Sequence, residues 1–180
     1  MDINKNIDVF FNKTDCPICK SRIQTLYKTH DIPFFGEIIL LTLICPNCGY
    51  KKNDVFSVYE KEPKRYIFNI DEETDLKIKV VRSGSCTIKI PEFGTIIEPG
   101  VESEGYITNI EGILSRVSAI LMIIEKDSQD EETLNKIQEL NKKIGTAKEG
   151  KLSFTLILED PTGNSAIISN DSLKLKIEKL

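Results

Sequence analysis

The chain has 180 residues, of which 40% are hydrophobic and 29% charged, and its formal net charge is −4. This length suits one ordinary domain, or a small metal-stabilised domain followed by a larger one. No apolar run reaches the roughly 18 residues that a membrane span requires, so we expect no membrane-bound form. No hydrophobic signal segment is seen, which favours the reducing cytoplasm, where disulfides are disfavoured.

Two Cys-x-x-Cys pairs stand in the first third of the chain: Cys16 with Cys19, and Cys45 with Cys48. Two such pairs supply the four thiolates that a tetrahedral zinc ion binds, at Zn–S distances of about 2.3 Å. A thioredoxin-like redox site would need only one pair, at the start of a helix. We therefore predict one structural zinc ion held by these four cysteines. Because protein sulfurs fill every position, none is left for a catalytic water.

The segments around the cysteines have the composition of β-strands, at residues 7–11, 22–29, 37–44 and 52–58. Together they predict a zinc ribbon in residues 1–60. Pro33 and Gly36 break the pattern and place Phe34 and Phe35 at a hairpin tip, roughly 25 Å from the zinc. Two adjacent phenylalanines there either pack against the rest of the chain or bind a partner.

A charged stretch with a proline, residues 60–65, predicts a linker, so we place a second domain at residues 61–180. Strand patterns follow at residues 66–70, 76–82, 85–90 and 95–98. Further strands are predicted at residues 151–158, 164–169 and 173–177. Asp160-Pro161-Thr162-Gly163 favours a type I turn between two of them. Lys174, Lys176 and Lys179 near the C-terminus are expected on a solvated face or a protected edge, with a basic stripe as the alternative.

Between these strands the hydrophobic period changes to that of a helix, which predicts a helical hairpin over about residues 109–145. Thr108 and Glu111 are typical of a capping box for the first helix, and Ser128 with Glu131 of one for the second. Gly145 is predicted to end the second helix. We expect the apolar stripe of the first helix to face the core and the second helix to be the more interesting surface. The predicted fold is mainly β with an α-helical hairpin.

Catalytic groups are scarce in this sequence. The only histidine, His30, is expected in a solvated loop near the hairpin tip. A serine or cysteine nucleophile would depend on that histidine as its base. Cys86, in a predicted strand, is expected to be a small core residue rather than a reactive thiol. We therefore predict a protein that is not an enzyme.

Several stretches together resemble the ZPR-type zinc-finger proteins of eukaryotes and archaea. The two cysteine pairs and the segment 32–39, Ile-Pro-Phe-Phe-Gly-Glu-Ile-Ile, look like the finger of that family. Residues 105–114, Gly-Tyr-Ile-Thr-Asn-Ile-Glu-Gly-Ile-Leu, look like one signature of the domain that follows the finger. Residues 158–165, Leu-Glu-Asp-Pro-Thr-Gly-Asn-Ser, look like another. The matching segments extend over about residues 15–170, and they occur in the same order as in the family.

The resemblance implies a zinc ribbon followed by a β-rich domain similar to a double-stranded β-helix, with an inserted helical hairpin. It also implies a chaperone-like partner of translation elongation factor 1-alpha, the GTPase that brings aminoacyl-tRNA to the ribosome. Members of the family bind that factor, favour states other than its active GTP form, and assist its folding. Eukaryotic members carry two finger-plus-domain modules, whereas this chain has one and looks like the archaeal form.

The expected function is therefore binding of elongation factor 1-alpha, with Phe34, Phe35 and the helical hairpin as contact surfaces. A nucleic-acid-binding zinc ribbon of transcription or translation is the alternative. Residues 1–60 carry seven Lys/Arg and seven Asp/Glu, and so lack the basic face that neutralises phosphates. A metal-dependent or redox enzyme is a third hypothesis, and a closed four-cysteine site argues against it.

Overall fold

In the computed structural model, residues 9–32, 36–58, 61–100 and 102–180 are described. The first part is an antiparallel meander whose strand order follows the chain. Its strands are β1 (Val9–Asp15), β2 (Arg22–Ile32), β3 (Gly36–Ile44) and β4 (Lys51–Ser57). Phe34 and Phe35, predicted at the β2–β3 tip, lie outside the described residues. His30 is exposed within β2 rather than in a loop.

The second part contains two antiparallel sheets. Its strands are β5 (Lys64–Ile70), β6 (Lys79–Arg82), β7 (Thr87–Ile90), β8 (Thr95–Ile97), β9 (Tyr106–Asn109), β10 (Phe154–Asp160), β11 (Ala166–Ile168) and β12 (Leu175–Lys179). One sheet has the order β12-β5-β10-β7-β8 and the other β11-β6-β9. Residues of both sheets and of the helices form one apolar core. No helix within the described residues combines the length and the apolar character needed to cross a membrane.

One predicted strand, residues 76–82, begins later than expected. Leu76 belongs to a 3-10 turn, Glu73–Lys77, and only Lys79–Arg82 is extended. The carboxylate of Asp75 accepts hydrogen bonds from the backbone N–H groups of Asp71 and Glu72, which closes this turn. An alternating apolar pattern thus continues from the turn into the strand, and the local hydrogen bonds decide where the strand starts.

The helical hairpin consists of α1 (Ile110–Asp127) and α2 (Glu131–Lys148). Its caps differ from those predicted. Asn109, not Thr108, accepts from the backbone N–H of Gly112 at 2.8 Å. Asp130, rather than Ser128, accepts from the backbone N–H of Thr133 at 2.9 Å.

Gly145 does not end α2, which continues to Lys148. Ile144 and Ala147 are both buried, so packing against the core extends the helix through the glycine. The chain leaves the helix at Gly150, whose φ of 68° is in the left-handed region that glycine adopts easily. A glycine does follow the helix, as predicted, but it is Gly150 and not Gly145.

The two helices differ in their exposed faces. The apolar stripe of α1 faces the core as predicted, with Ile113, Leu114 and Val117 buried. The expectation that α2 offers the more interesting surface is wrong, because its apolar residues Ile137 and Ile144 also face inward. Exposed apolar side chains lie instead on α1: Ile120, Met122, Ile123 and Ile124. We call these four residues the α1 apolar face.

The end of the ribbon distant from the cysteines is packed against the second part of the chain. Ile32, Ile38 and Val55 form a buried cluster with Val81 of β6. The backbone N–H of Gly105 also donates to the carbonyl of Asn53 in β4 at 3.2 Å. The predicted domain boundary at residue 60 falls between β4 and β5, and the two parts nevertheless share an interface.

The C-terminal lysines do not form a basic stripe. Lys174 pairs with Asp75 at 2.8 Å, and also with Asp71. The other two contact acidic neighbours: Lys176 with Glu178 at 2.6 Å, and Lys179 with Glu62 at 3.1 Å. Because each lysine faces a carboxylate, this edge offers little net positive charge to a phosphate backbone.

Candidate metal centre

The two cysteine pairs lie in the turns β1–β2 and β3–β4, and the two turns have the same backbone shape. In the first, the N–H of Lys20 donates to the carbonyl of Cys16 at 3.0 Å. In the second, the N–H of Gly49 donates to the carbonyl of Cys45 at 2.9 Å. Lys20 has a φ of 60° and Gly49 a φ of 75°. A left-handed residue follows the second cysteine in both turns, so each turn directs its two sulfurs to the same side.

The four sulfurs converge on one point. The Sγ atoms of Cys16, Cys19, Cys45 and Cys48 all lie within 4.8 Å of one another. The distance is 3.6 Å between Cys16 and Cys48 and 3.5 Å between Cys19 and Cys45. Sulfurs around a tetrahedral zinc ion with bonds of about 2.3 Å are separated by roughly 3.8 Å. The predicted cluster is thus formed and fits one zinc ion.

Two of the four cysteines in the cluster are buried. Cys16 and Cys45 are fully buried and pack with Ile23, while Cys48 is the exposed member. Leu43 and Tyr50 cover the same small apolar group. Thiolate ligands are the soft donors that zinc prefers, and four of them complete a structural site. Zinc bound here would join the two turns, and with them β1 and β2 to β3 and β4.

Without a metal, the thiols of Cys19 and Cys48 have very different acidities. The side chain of Asn47, followed by Ser21, lowers the pKa of Cys19 to about 5. For Cys48 the largest influence is a hydrogen bond with the Tyr50 backbone, which lowers the pKa. Burial and the neighbouring cysteines act against it and raise the Cys48 pKa to about 12. Bound zinc would remove this difference in protonation, because coordination deprotonates a thiol outright.

Comparison with known families gives the same division of the chain. Residues 8–63 match the ZPR1 zinc-finger domain, and residues 74–180 match the ZPR1 jelly-roll domain. The chain belongs to the ZPR1 family. The predicted β-rich domain is therefore a jelly roll, and the zinc-finger assignment agrees with the four-sulfur cluster.

The ZPR1 relatives come from archaea and eukaryotes. A ZPR1-like protein of Methanocaldococcus jannaschii is 44% identical over 158 residues, which are 87% of this chain and 80% of that protein. One from Pyrococcus horikoshii is 43% identical over 171 residues, covering 92% of this chain and 75% of the relative. The zinc finger chaperone zpr1 of Schizosaccharomyces pombe is 35% identical over 83% of this chain but only 34% of its own length. The chain is similar in extent to the archaeal relatives and spans about a third of the yeast protein.

The first jelly-roll signature, residues 105–114, has a physical explanation in the structure. A Cβ atom at Gly105 would lie 2.5 Å from the backbone nitrogen of Val55 in β4, so only glycine permits this approach of the ribbon. A Cβ at Gly112 would lie 2.0 Å from the hydroxyl of Thr108. Asn109 caps α1. The signature thus joins the ribbon interface to the start of the helical hairpin.

The second signature, residues 158–165, is built around Asp160, which is fully buried. Its carboxylate accepts from the hydroxyls of Ser165 at 2.6 Å, Ser83 at 2.7 Å and Thr162 at 2.7 Å. It also accepts from the backbone N–H of Thr162 at 2.8 Å. Burial alone would raise the Asp160 pKa, but these hydrogen bonds outweigh it and lower the pKa. The predicted turn therefore also encloses a buried carboxylate.

The same turn contacts the ribbon and the linker. The side-chain carbonyl of Asn164 accepts from the backbone N–H of Ser57, the last residue of β4, at 2.8 Å. A Cβ atom at Gly163 would lie 2.3 Å from the carbonyl oxygen of Glu62. Sequence reasoning identified both signatures by resemblance only. It missed that each one holds the ribbon against the jelly roll, because the partners are distant in sequence.

Cys86 is the fifth cysteine and lies apart from the metal centre. It is fully buried in the jelly-roll core, and burial raises its pKa to about 11. A thiol with a raised pKa is poorly ionised at neutral pH and so a weak nucleophile. This agrees with the expected core role.

Proposed function

We propose that the protein binds translation elongation factor 1-alpha in the cytoplasm and assists its folding without catalysing a reaction. The ZPR1 family includes a yeast relative named a zinc finger chaperone. We extend that role to this chain and take the partner from the family resemblance. The proposal includes a single module, which is divided into a zinc ribbon at residues 1–60 and a second domain at residues 61–180.

The observation that carries the proposal is the α1 apolar face. Ile123 is 62% exposed, Met122 57%, Ile124 44% and Ile120 41%. Ile120, Ile123 and Ile124 have the i, i+3, i+4 spacing that puts them on one side of the helix, so they form an uncovered apolar patch, and Met122 adds exposed apolar surface on another side. Such a patch suits a client whose own apolar surface is incompletely buried, and methionine adapts to irregular partners.

The zinc centre supports a role in shape rather than in chemistry. Four sulfurs converge on it, so a bound zinc ion would have no position left for a substrate or an activated water. The single histidine, His30, is exposed on the ribbon, while Cys86 is buried in the jelly roll. A protein without nucleotide chemistry can assist folding only by binding one client state more tightly than another.

Calorimetric titration of the zinc-loaded protein into its cognate elongation factor 1-alpha tests the proposal. The titration is repeated with the nucleotide-free, GDP-bound and GTP-bound factor. We expect the affinity to be lowest for the GTP-bound state. Equal affinity for all three states, or no heat of binding in any of them, would refute the proposal.

The contact surface is tested with matched serine variants. Ile123→Ser should weaken binding about tenfold or more if the α1 apolar face contacts the factor. Leu173→Ser is the control, because Leu173 is 93% exposed and lies far along the chain, before β12. Equal losses from both variants would remove the α1 apolar face from the interface.

Phe34 and Phe35 remain a proposed second contact surface. Replacing both with serine should weaken binding of the factor while the protein still binds one zinc ion, measured with a metal indicator dye. Unchanged affinity would exclude the hairpin tip as a contact.

A further inference from the structure

A groove of about 310 Å³ lies beside α1, between that helix and the end of β8. Two arginines, Arg82 and Arg116, line it together with Tyr106 and Ser103. Ile97 and Ile120 provide apolar walls, and Ile120 also belongs to the α1 apolar face. The groove therefore combines two cations with apolar surface and opens toward the proposed client-binding helix.

Arg82 is an unusual residue for such a position. It is only 4% exposed, and its Nε atom is buried with no hydrogen-bond partner among the described residues. Its other nitrogens donate to neutral groups: the carbonyls of Glu104 at 2.7 Å and Cys86 at 3.0 Å, and the hydroxyl of Ser103 at 2.9 Å. A buried cation without a carboxylate partner is costly, as is a buried donor without an acceptor.

The second arginine adds to the unbalanced charge. The guanidinium of Arg116 lies over the ring of Tyr106 at 3.9 Å, and that of Arg82 lies 5.4 Å from the same ring. The ring stabilises both cations without neutralising either. Neither arginine forms an ion pair with a carboxylate in the part of the chain that the structure describes. Glu98, which is exposed, also lines the groove and offsets part of this positive charge.

We propose that this groove binds the carboxylate of an acidic side chain in a protein partner, with an adjacent apolar side chain of that partner against Ile97 and Ile120. Arginine suits a carboxylate because its planar guanidinium donates two hydrogen bonds in parallel. Arginine and tyrosine are also the residues that dominate binding energy in protein interfaces. Because the groove runs into the α1 apolar face, a bound segment continues along the helix rather than ending in the groove.

This inference rests on the proposed function, since it names a chemical feature of the partner. Its test, however, needs no elongation factor. The zinc-loaded full chain is titrated with a capped peptide, Leu-Glu-Leu flanked by alanines, and the side-chain Nε–Hε signals of Arg82 and Arg116 are followed by NMR. The comparison peptides are the same sequence with Gln for Glu, and one whose only carboxylate is its C-terminus. Inorganic phosphate is the free-anion probe.

We expect the Glu peptide to shift both arginine signals saturably and to bind at least about tenfold more tightly than the Gln peptide. Arg116→Gln should abolish this difference, whereas Arg22→Gln, an equal charge change at an exposed position of the ribbon, should preserve it. Glu98→Gln should strengthen binding of the Glu peptide, because it removes a carboxylate from the described residues that line the groove.

Other results would overturn the inference. They are equal binding of the Glu and Gln peptides, unchanged binding in Arg116→Gln, or no saturable shift with any probe. Tighter binding of phosphate would make the groove a free-anion site, and tighter binding of the C-terminal peptide would assign it to chain ends. All of these outcomes leave the calorimetric result with elongation factor 1-alpha untouched, so the two proposals fail separately.

Discussion

The two ends of the zinc ribbon are stabilised by different forces. At one end, four cysteine sulfurs gather with a small apolar group that includes Ile23 and Leu43. At the other end, Ile38 and Val55 are fully buried against Val81 of the jelly roll. The first end depends on a metal and the second on packing with a larger core. We therefore expect the two ends of the ribbon to unfold separately.

Removing the metal should give the largest effect and should distinguish the two ends of the ribbon most clearly. Zinc binding to finger peptides is worth on the order of 10 kcal/mol. We expect chelation, or Cys45→Ser, to unfold the turns around the cysteines while the β2–β3–β4 end near Ile38 stays folded. Amide signals in NMR spectra measure both ends in one sample.

The matched control for this experiment is Cys86→Ala, which removes a thiol from the jelly-roll core and should leave the zinc stoichiometry at one. Loss of the amide signals at both ends of the ribbon on chelation would show that the metal holds the whole meander.

Asp160→Asn tests the end of the ribbon that packs against the jelly roll. We expect a loss of about 2–4 kcal/mol, because three hydroxyls and one N–H would lose an ionised acceptor in a buried site. The folded-state pKa of Asp160 lies below that of an unfolded aspartate, about 3.9. Its stabilisation is thus complete above about pH 5 and is lost as the pH falls through the folded-state pKa.

Urea unfolding of the wild type and of Asp160→Asn between pH 7 and pH 3 measures this contribution. The wild type should lose stability more steeply toward acid than the variant. Some slope should remain in the variant, because the Asp75 pKa is also lowered. Parallel pH profiles for the two proteins would show that Asp160 is not the ionised acceptor that the geometry indicates.

Gly105→Ala addresses the interface between ribbon and jelly roll. The new Cβ would lie 2.5 Å from the nitrogen of Val55, so β4 has to shift, at a cost of about 1–3 kcal/mol. Hydrogen exchange of the Val55 amide should accelerate, while exchange at the cysteine turns stays slow in the zinc-loaded protein. Gly100→Ala is the control, since a Cβ there meets no atom within 4 Å.

The smallest effect is expected at the two cysteine turns themselves. Gly49→Lys and Lys20→Gly exchange the residues at the two left-handed positions, and a Cβ at Gly49 meets only open space. The first change should destabilise the metal end, and the second stabilise it, each by roughly 1 kcal/mol or less. Competition with a chelator measures the difference, and shifts of the same sign for both variants would contradict the equivalence of the turns.

Local chemistry explains which parts of the structure could be predicted. Each Cys-x-x-Cys pair predicts the local turn that holds its two sulfurs, so the metal centre could be predicted from residues that are close together in sequence. The strand predicted at residues 151–158 is likewise present as β10, Phe154–Asp160, in which Leu156 and Leu158 are buried. In both cases the pattern and its consequence lie within one segment.

The interface could not be predicted because its partners are distant in sequence. Nothing in the order of residues around Gly105 indicates that the backbone of Val55 will approach it. The burial of Asp160 depends on Ser83, in a different strand connection, and a charged residue in a turn is ordinarily solvated. The groove of Arg82 and Arg116 could not be predicted for the same reason, since β6 and α1 meet only in the folded jelly roll.

The strand order of the larger sheet also constrains how the chain can fold during synthesis. β5 comes first in the jelly roll, yet both of its neighbours, β10 and β12, are made after the helical hairpin. Until Phe154–Lys179 has been made, both edges of β5 remain without their native partners. Contacts of such long sequence separation form slowly, and unpaired edges favour aggregation. The strands of the ribbon pair only with their neighbours in sequence, so the ribbon can form its hydrogen-bonded sheet earlier. The buried packing of Ile38 and Val55 has to wait for Val81 of the jelly roll.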